Sequence, residues 1–269
     1  MNSTTNDLAQ GQVVLPRSGK RLAVYLINMD GAQGRLQVMQ AKLAAVGLDF
    51  SRFSGVDGRA IAFPIPEFDE AAYATLHGRR RTPPEVGCYL SHVGAAQAFL
   101  DSEADLALIL EDDVSFDPDF LDTLDRAAEW PDDWNILRLT TVNRGRKYPF
   151  RDLGNGRSLA MALTREKGAG AYVIDRQAAA WFTGDLIPMR LAWDIAFDLE
   201  FDAGLRAAFV EPLPASQISD LETQIQSGLE AYKLSRSRYL TVMPYRAWLE
   251  MKRIFWRGTR LIGARLRRG

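Results

Sequence analysis

The chain has 269 residues, of which 47% are hydrophobic and 25% charged, and its formal net charge is −1. These values fit a folded α/β domain with a large core and exclude a chain that is disordered throughout. The single cysteine, Cys88, excludes an intrachain disulfide and a multi-thiolate zinc site. With no signal peptide, it points to a reducing cytoplasm. No stretch is apolar for long enough to span a bilayer.

Residues 1–20 open with MNSTTNDLAQGQ, polar and without an apolar pattern, and are expected to be disordered. RLAVYLIN (21–28) is an apolar run of β-formers. A polar loop follows, then LQVMQAKLAAVGL with helical spacing and a terminal glycine, then FSRFSGV as a second strand. This order is a βαβ opening and predicts a parallel sheet. Residues 61–86 hold four prolines and the basic run Arg79–Arg81, which marks a surface excursion. GCYLSHVGAAQAFLDS (87–102) has the pattern of a helix, DLALIL (105–110) of a buried strand, and DPDFLDTLDRAAEWP of an amphipathic helix. WNILRLTT (134–141) is a further strand, and 142–167 is either a mobile loop or a hairpin. GAGAYVID (168–175) is a strand whose Gly168 and Gly170 signal close backbone approach; the fuller dinucleotide-binding glycine pattern is absent. RQAAAWFTGDL is the next helix, and a second acidic stretch surrounds Asp194.

Charge is unevenly distributed. From Arg246 to the end there are eight Lys and Arg residues against one acid, Glu250. Tyr245, Trp248, Leu249, Phe255, Trp256, Ile262 and Leu266 fall mainly on one helical face there, with arginines filling much of the remainder. Residues 231–269 therefore read as a basic amphipathic helical tail of the kind that contacts an anionic membrane surface. The rest of the chain is acidic, which argues against a nucleic-acid partner.

Glu111, Asp112 and Asp113 follow directly on the buried run LALIL. Three adjacent carboxylates repel one another unless a cation or hydrogen bonds offset the charge. At the carboxyl end of a strand in an α/β sheet they occupy the usual ligand position. Hard oxygen donors suit Mn²⁺ or Mg²⁺ bridging to phosphate. A solvated acidic turn that caps the helix starting near Asp117 is the other reading.

Several pieces resemble glycosyltransferase family 25 in order: VYLINMD (24–30) with Arg35, EVGCYLSHVGAAQAF (85–99), LALILEDDVSF (106–116), NILRL (135–139), GAGAYVIDRQAA (168–179) and Asp194 after Pro188. The resemblance spans about residues 21–220, and its most specific parts are GCYLSH and LILEDDV. It implies a GT-A-like, Rossmann-type domain over 21–230 with a mostly parallel sheet flanked by helices. It further implies a UDP-sugar donor, with galactose favoured, and a hydroxyl acceptor on a lipooligosaccharide, lipopolysaccharide or other lipid-linked or cell-surface glycan. Inversion at the anomeric carbon and dependence on Mn²⁺ or Mg²⁺ are also implied.

On that basis Asp112 and Asp113 are the expected metal ligands. Asn28, Asp30, Arg35, Ser91 and Glu111 are expected on the donor. His92 and Asp194 are the expected catalytic residues, with Asp194 as general base, because an inverting transfer needs a group to accept the acceptor's proton. Asp198 competes with Asp194, and Glu200 and Asp202 are weaker competitors. Two rival functions are a glycosyltransferase-like binding protein without turnover and a metal-dependent nucleotidyltransferase.

Overall fold

The computed structural model describes residues 10–143, 145–217 and 232–266. The βαβ opening is present: β2 (Arg21–Asn28), α1 (Gln33–Ala45) and β3 (Ser51–Ser54), with β3 parallel to β2. Ahead of it, β1 (Gln12–Val14) pairs antiparallel with Arg21–Ala23, on the half of the β2 edge that β3 leaves free. Residues 10–20 are therefore ordered, contrary to expectation, and residues 1–9 lie outside the described residues. Two local features fix this segment. Leu15 is 1% exposed, and the Asp125 carboxylate accepts hydrogen bonds from the backbone N–H of Arg17 and Ser18. Polar composition hid a strand that needs only backbone partners and one anchoring apolar residue.

After α2 (Glu70–Ala72) comes α3 (Pro83–Leu100), started by prolines in its first turn where a missing N–H costs nothing. Then follow β4 (Leu106–Glu111), β5 (Val114–Phe116), α4 (Phe120–Ala128) and β6 (Ile136–Arg138). Residues 142–167 resolve into a hairpin, β7 (Lys147–Asp152) with β8 (Ser158–Ala162). The chain continues through β9 (Ala171–Asp175), α5 (Arg176–Thr183), α6 (Trp193–Ala196), β10 (Ala207–Glu211), β11 (Ala215–Gln217) and α7 (Tyr239–Leu266).

The central sheet has nine strands in the order β1-β2-β4-β9-β6-β10-β8-β7, with β3 also on β2. β2, β3, β4, β6, β7 and β10 run one way, and β1, β8 and β9 the other. The expected α/β class and mostly parallel sheet are thus observed. Side-chain alternation builds a core on each face. Leu106, Leu108 and Leu110 of β4 pack with Leu22, Val24 and Leu26 of β2 against α1 and α4. Ala107 and Ile109 of the same strand join Tyr172 and Ile174 against α3, α5 and α6.

The C-terminal helix α7 is present, but two of its arginines are not in water. Arg253 and Arg257 are buried at 0% and 2% exposure and reach under the sheet to Asp198 and Glu200. Arg257 Nε donates to Glu200 Oε1 at 2.9 Å, and its Nη2 donates to Glu200 Oε2 at 2.7 Å and Asp198 Oδ1 at 2.9 Å. Arg138 Nη1 donates to the same Asp198 oxygen at 2.9 Å. Most of the apolar side chains of α7 turn outward instead: exposure of these runs from 44% at Trp256 to 81% at Leu240, with Phe255, Ile262 and Leu266 between. Only Leu249 of the predicted apolar face is fully buried, and Tyr245 is half-buried. A helical wheel separates the two faces but does not say which one the domain covers, and here the buried acids chose the arginines.

Candidate active site at the carboxyl end of the central strand

β4 delivers Glu111 to the edge of the sheet, and the next two residues turn out of it. The turn sends the three side chains in different directions. Glu111 and Asp113 are bridged by one side chain: Gln217 Nε2 donates to Glu111 Oε2 at 2.9 Å and to Asp113 Oδ1 at 3.3 Å. Asp112 goes the other way. Its Oδ2 accepts from Asn28 Nδ2 at 2.7 Å, and its Oδ1 lies 2.8 Å from Arg35 Nη1. Asn28 is itself held by Arg52, whose Nε donates to Asn28 Oδ1 at 3.1 Å. Arg52 also pairs with the exposed Asp30 at 2.5 Å.

The electrostatics match this division. Burial, then the neighbouring Glu111 charge, pushes the Asp113 carboxyl up to about 6. Burial raises Asp112 as well, against the hydrogen bond from Asn28 and the charge of Arg35. One guanidinium therefore serves three acids, and Asp113 carries the uncompensated charge.

Glu111 is also the contact point for His92. His92 Nε2 lies 3.2 Å from Glu111 Oε1 and Nδ1 lies 2.9 Å from the Tyr172 hydroxyl. A carboxylate only accepts, so Nε2 carries the proton toward Glu111. The ring is 1% exposed and stacks on Trp193, with centroids 4.9 Å apart and planes 5° apart. His92 therefore orients Glu111 from beneath. Among the described residues, the one group of three ligand-type side chains that converges to within 4.8 Å is Cys88, His92 and Glu111, not the acidic triplet. Burial raises the Cys88 thiol.

Ser91, expected on the donor, has its hydroxyl engaged by backbone. It is 2% exposed, accepts the Val56 N–H at 2.8 Å and donates to the Gly87 carbonyl at 2.7 Å. Its work is to pin α3 to the loop at 56–58. Gly87 serves the same contact, since a Cβ there would lie 2.3 Å from the Val56 carbonyl oxygen. Part of the GCYLSH pattern thus reflects packing rather than ligand contact.

Asp194 follows Trp193, whose ring stacks on His92, on α6. Arg165 Nη2 donates to its Oδ2 at 3.3 Å, and the Asp194 side chain is about a third exposed (32%). Its competitors are all occupied. Asp198 and Glu200 are buried at 1% and 0% in the arginine cluster, where no acceptor hydroxyl can reach them. Asp202 pairs with Lys252.

Sequence reasoning missed Gln217, Trp193, Tyr172, Arg52 and Arg165. Gln217 arrives through the antiparallel pairing of β11 with β5, where it faces Val114. Its one trace in the sequence is Gly170: a Cβ there would lie 2.4 Å from the Gln217 side chain. Close approach was legible at that glycine, but not what approached.

The sequence pattern of Glycosyltransferase family 25 (LPS biosynthesis protein) matches residues 22–198. The chain belongs to glycosyltransferase family 25. A Glycosyltransferase 25 family member of Drosophila pseudoobscura pseudoobscura is 32% identical over 107 residues, covering 36% of this chain and 16% of the relative. Procollagen galactosyltransferase 2 of Homo sapiens is 26% identical over 174 residues, covering 60% of this chain and 27% of the relative. The chain thus spans about a sixth to a quarter of the length of these relatives. Among solved structures, a glycosyltransferase involved in the glycosylation of the major capsid of PBCV-1 aligns at TM-score 0.39 and 10% identity, over 78% of this chain and 98% of the other. The matched segment contains the whole of the acidic strand end, His92 and Asp194, together with Asp198 at its last position.

Proposed function

We propose that this family 25 chain transfers a hexose, galactose first among the candidates, from a UDP-sugar to a glycan hydroxyl. The observation that carries the reading is the acidic strand end, where Asp113 keeps an uncompensated charge beside Glu111 and Asp112. The donor set there is hard oxygen, which suits Mn²⁺ or Mg²⁺. Because the three carboxylates do not converge on one point, phosphate oxygens must complete the shell, as Mg²⁺ sites normally require. Asp113 and Asp112 would hold the ion, and it would offset the charge growing on the departing diphosphate.

The chain's own residues account for the rest. Gln217 holds Glu111 and Asp113 in one orientation. Arg35, paired with Asp112, is within reach of a diphosphate oxygen through its second guanidinium nitrogen. Asn28 and Asp30, at the end of β2, flank the same edge. Asp194 accepts the acceptor's proton, and Arg165 orients its carboxylate.

The test is UDP release from a panel of UDP-sugars with Mn²⁺ or Mg²⁺. Release that requires the metal and stops in excess chelator is expected, and full activity in chelator overturns the metal assignment. Release of diphosphate instead of UDP would mark a nucleotidyltransferase. Binding of UDP without any release would mark a binding protein.

We infer further that α7 seats the enzyme on an anionic membrane at its cytoplasmic face, where a lipid-linked lipooligosaccharide or lipopolysaccharide acceptor is available. No described helix is long and apolar enough to cross a membrane. The outward stripe of α7 carries Leu240, Met251, Phe255, Ile262 and Leu266, and the sequence just beyond it is basic. Each such side chain contributes roughly 1.5–3 kcal/mol when it leaves water. Deleting α7 is not the test, since it would strand Asp198 and Glu200. The triple change Met251→Ser, Phe255→Ser, Ile262→Ser is expected to abolish retention on phosphatidylglycerol vesicles. Equal retention overturns the inference, as does a solution dimer that the same change dissociates.

A further inference from the structure

Behind Asp194, α7 and the domain form an open-sided pocket whose wall holds Arg165, the exposed Arg246 and Arg253 against one acid, Glu250. Tyr245 and several aliphatic side chains complete it. Arg165 is shared: one of its nitrogens reaches Asp194, and its Nε is buried with no hydrogen-bond partner. Arg253 is 0% exposed. It faces Asp198 and Glu250 at 3.0 and 2.6 Å, yet Nε, Nη1 and Nη2 are all out of line for a hydrogen bond. Among the described residues Arg246 makes no ion pair. Nearby, His77 is 7% exposed with neither ring nitrogen hydrogen-bonded, although Nε2 lies 3.9 Å from Glu85. Burial, then the arginines Arg79, Arg246 and Arg165, lowers its pKa to about 3.

Buried guanidinium groups in a folded protein normally align their N–H groups on acceptors, because an unpaired donor away from water is costly. The buried arginines that fasten α7 do so: Arg257 makes aligned bonds to both Asp198 and Glu200. Arg253 does not, and Arg165 leaves its Nε unpaired; both line the pocket. The excess positive charge, the misaligned donors and the concave shape have one common remedy, a bound anion with several oxygen acceptors. Its position separates it from the donor. The diphosphate side of the site has Arg35 at Asp112, whereas this pocket is joined through Arg165 to Asp194.

We propose that the pocket is an anion subsite for the acceptor, taking a carboxylate or phosphate group on the saccharide whose hydroxyl is presented to Asp194. The half-buried Tyr245 offers an aromatic face to the sugar ring. The substrate class is thus an acidic or phosphorylated saccharide. The proposal rests on the transferase reading for its role but not for its test, which needs no turnover.

The full chain is titrated, by ligand-observed NMR, with methyl β-glucuronide, galactose 6-phosphate, inorganic phosphate and methyl β-glucoside. One of the two charged sugars is expected to bind at least tenfold more tightly than the neutral glucoside, and the tighter one names the group. Arg246→Gln is expected to erase that preference and Arg246→Lys to retain most of it. Equal affinity for charged and neutral sugars overturns the proposal. So does a preference unchanged in Arg246→Gln, or inorganic phosphate binding as tightly as the sugar phosphate. Absence of UDP release by the wild-type chain would instead overturn the transferase reading and leave these titrations standing.

Discussion

Two places in the molecule concentrate carboxylates, and they treat them in opposite ways. Beneath α7, Asp198 and Glu200 meet three guanidiniums, from Arg138, Arg253 and Arg257. At the end of β4, Arg35 is the one guanidinium paired with Glu111, Asp112 or Asp113 among the described residues, and it pairs with Asp112. Burial pushes the Asp198 carboxyl up, but Arg257, Arg138 and Arg253 overcome it and hold it below its ordinary value. At Asp113 nothing overcomes burial, and the carboxyl rises to about 6. The first cluster has its cations built in and serves as a fastener. The second has a single guanidinium within ion-pair distance among the described residues, and on the proposed function it would take a cation from solution.

The contrast breaks most directly at Arg257. Arg257→Ala removes both aligned contacts to Glu200 and leaves that carboxylate buried at 0% exposure. The expected loss is about 3–5 kcal/mol of unfolding free energy, the range for breaking a buried pair on one side. Urea denaturation followed by tryptophan fluorescence measures it. A loss below about 1 kcal/mol would mean that α7 is not fastened by charge.

At the other cluster the same kind of deletion should have the opposite sign on stability. Asp113→Asn removes a charge the fold does not balance. It is expected to raise the unfolding free energy at pH 7 by on the order of 1–2 kcal/mol. The sign follows from the direction of the shift. The folded pKa, about 6, lies above the ordinary 3.8. The folded state therefore holds this proton more tightly, and the wild-type side chain weakens the fold as pH rises through 6. The gain from Asn should be full above pH 6 and vanish below about pH 4. Transfer should meanwhile fall about 10²–10³-fold, the scale of removing one group that stabilises developing charge. Mn²⁺ affinity of the wild type should drop up to tenfold per pH unit below pH 6, because the ligand must be deprotonated. A variant that gains stability and keeps its activity would leave the acidic end as a mere acidic turn.

Sequence alone showed where acids were, but not which cluster was neutralised. LILEDDV is conspicuous because its acids are adjacent and follow a buried strand. Asp198 and Glu200 looked like rivals of Asp194 because their partners, Arg253 and Arg257, lie more than fifty residues away in a helix whose aromatics drew attention to the other face. The strand order of the opening, the helices and the β4 end were legible because local apolar periodicity sets them. β1 was not, since three half-buried residues pairing through backbone carry no periodicity. The packing role of Ser91 was not legible because its partners, Val56 and Gly87, are backbone groups. Gln217 was invisible because strand pairing between β5 and β11 brings it to Glu111 from 106 positions away.

That last contact supplies the finest test. If Gln217 is what orients Glu111 and Asp113, two unrelated changes should act alike. Gln217→Ala removes the donor. Gly170→Ala leaves it in place but puts a methyl group where its side chain now lies, 2.4 Å away, so Gln217 must withdraw. The hydrogen bond from Gln217 lowers the Asp113 pKa. Losing it by either route should therefore shift the acid limb of the pH–rate profile upward by a fraction of a unit. Stability should change by only about 0.5–1.5 kcal/mol, the net worth of one hydrogen bond. The double variant should show little beyond either single change, because both act on one contact. Additive shifts in the acid limb would mean that Gly170 matters for the sheet and Gln217 for something else, and the uncompensated charge at Asp113 would then have no dedicated positioning residue.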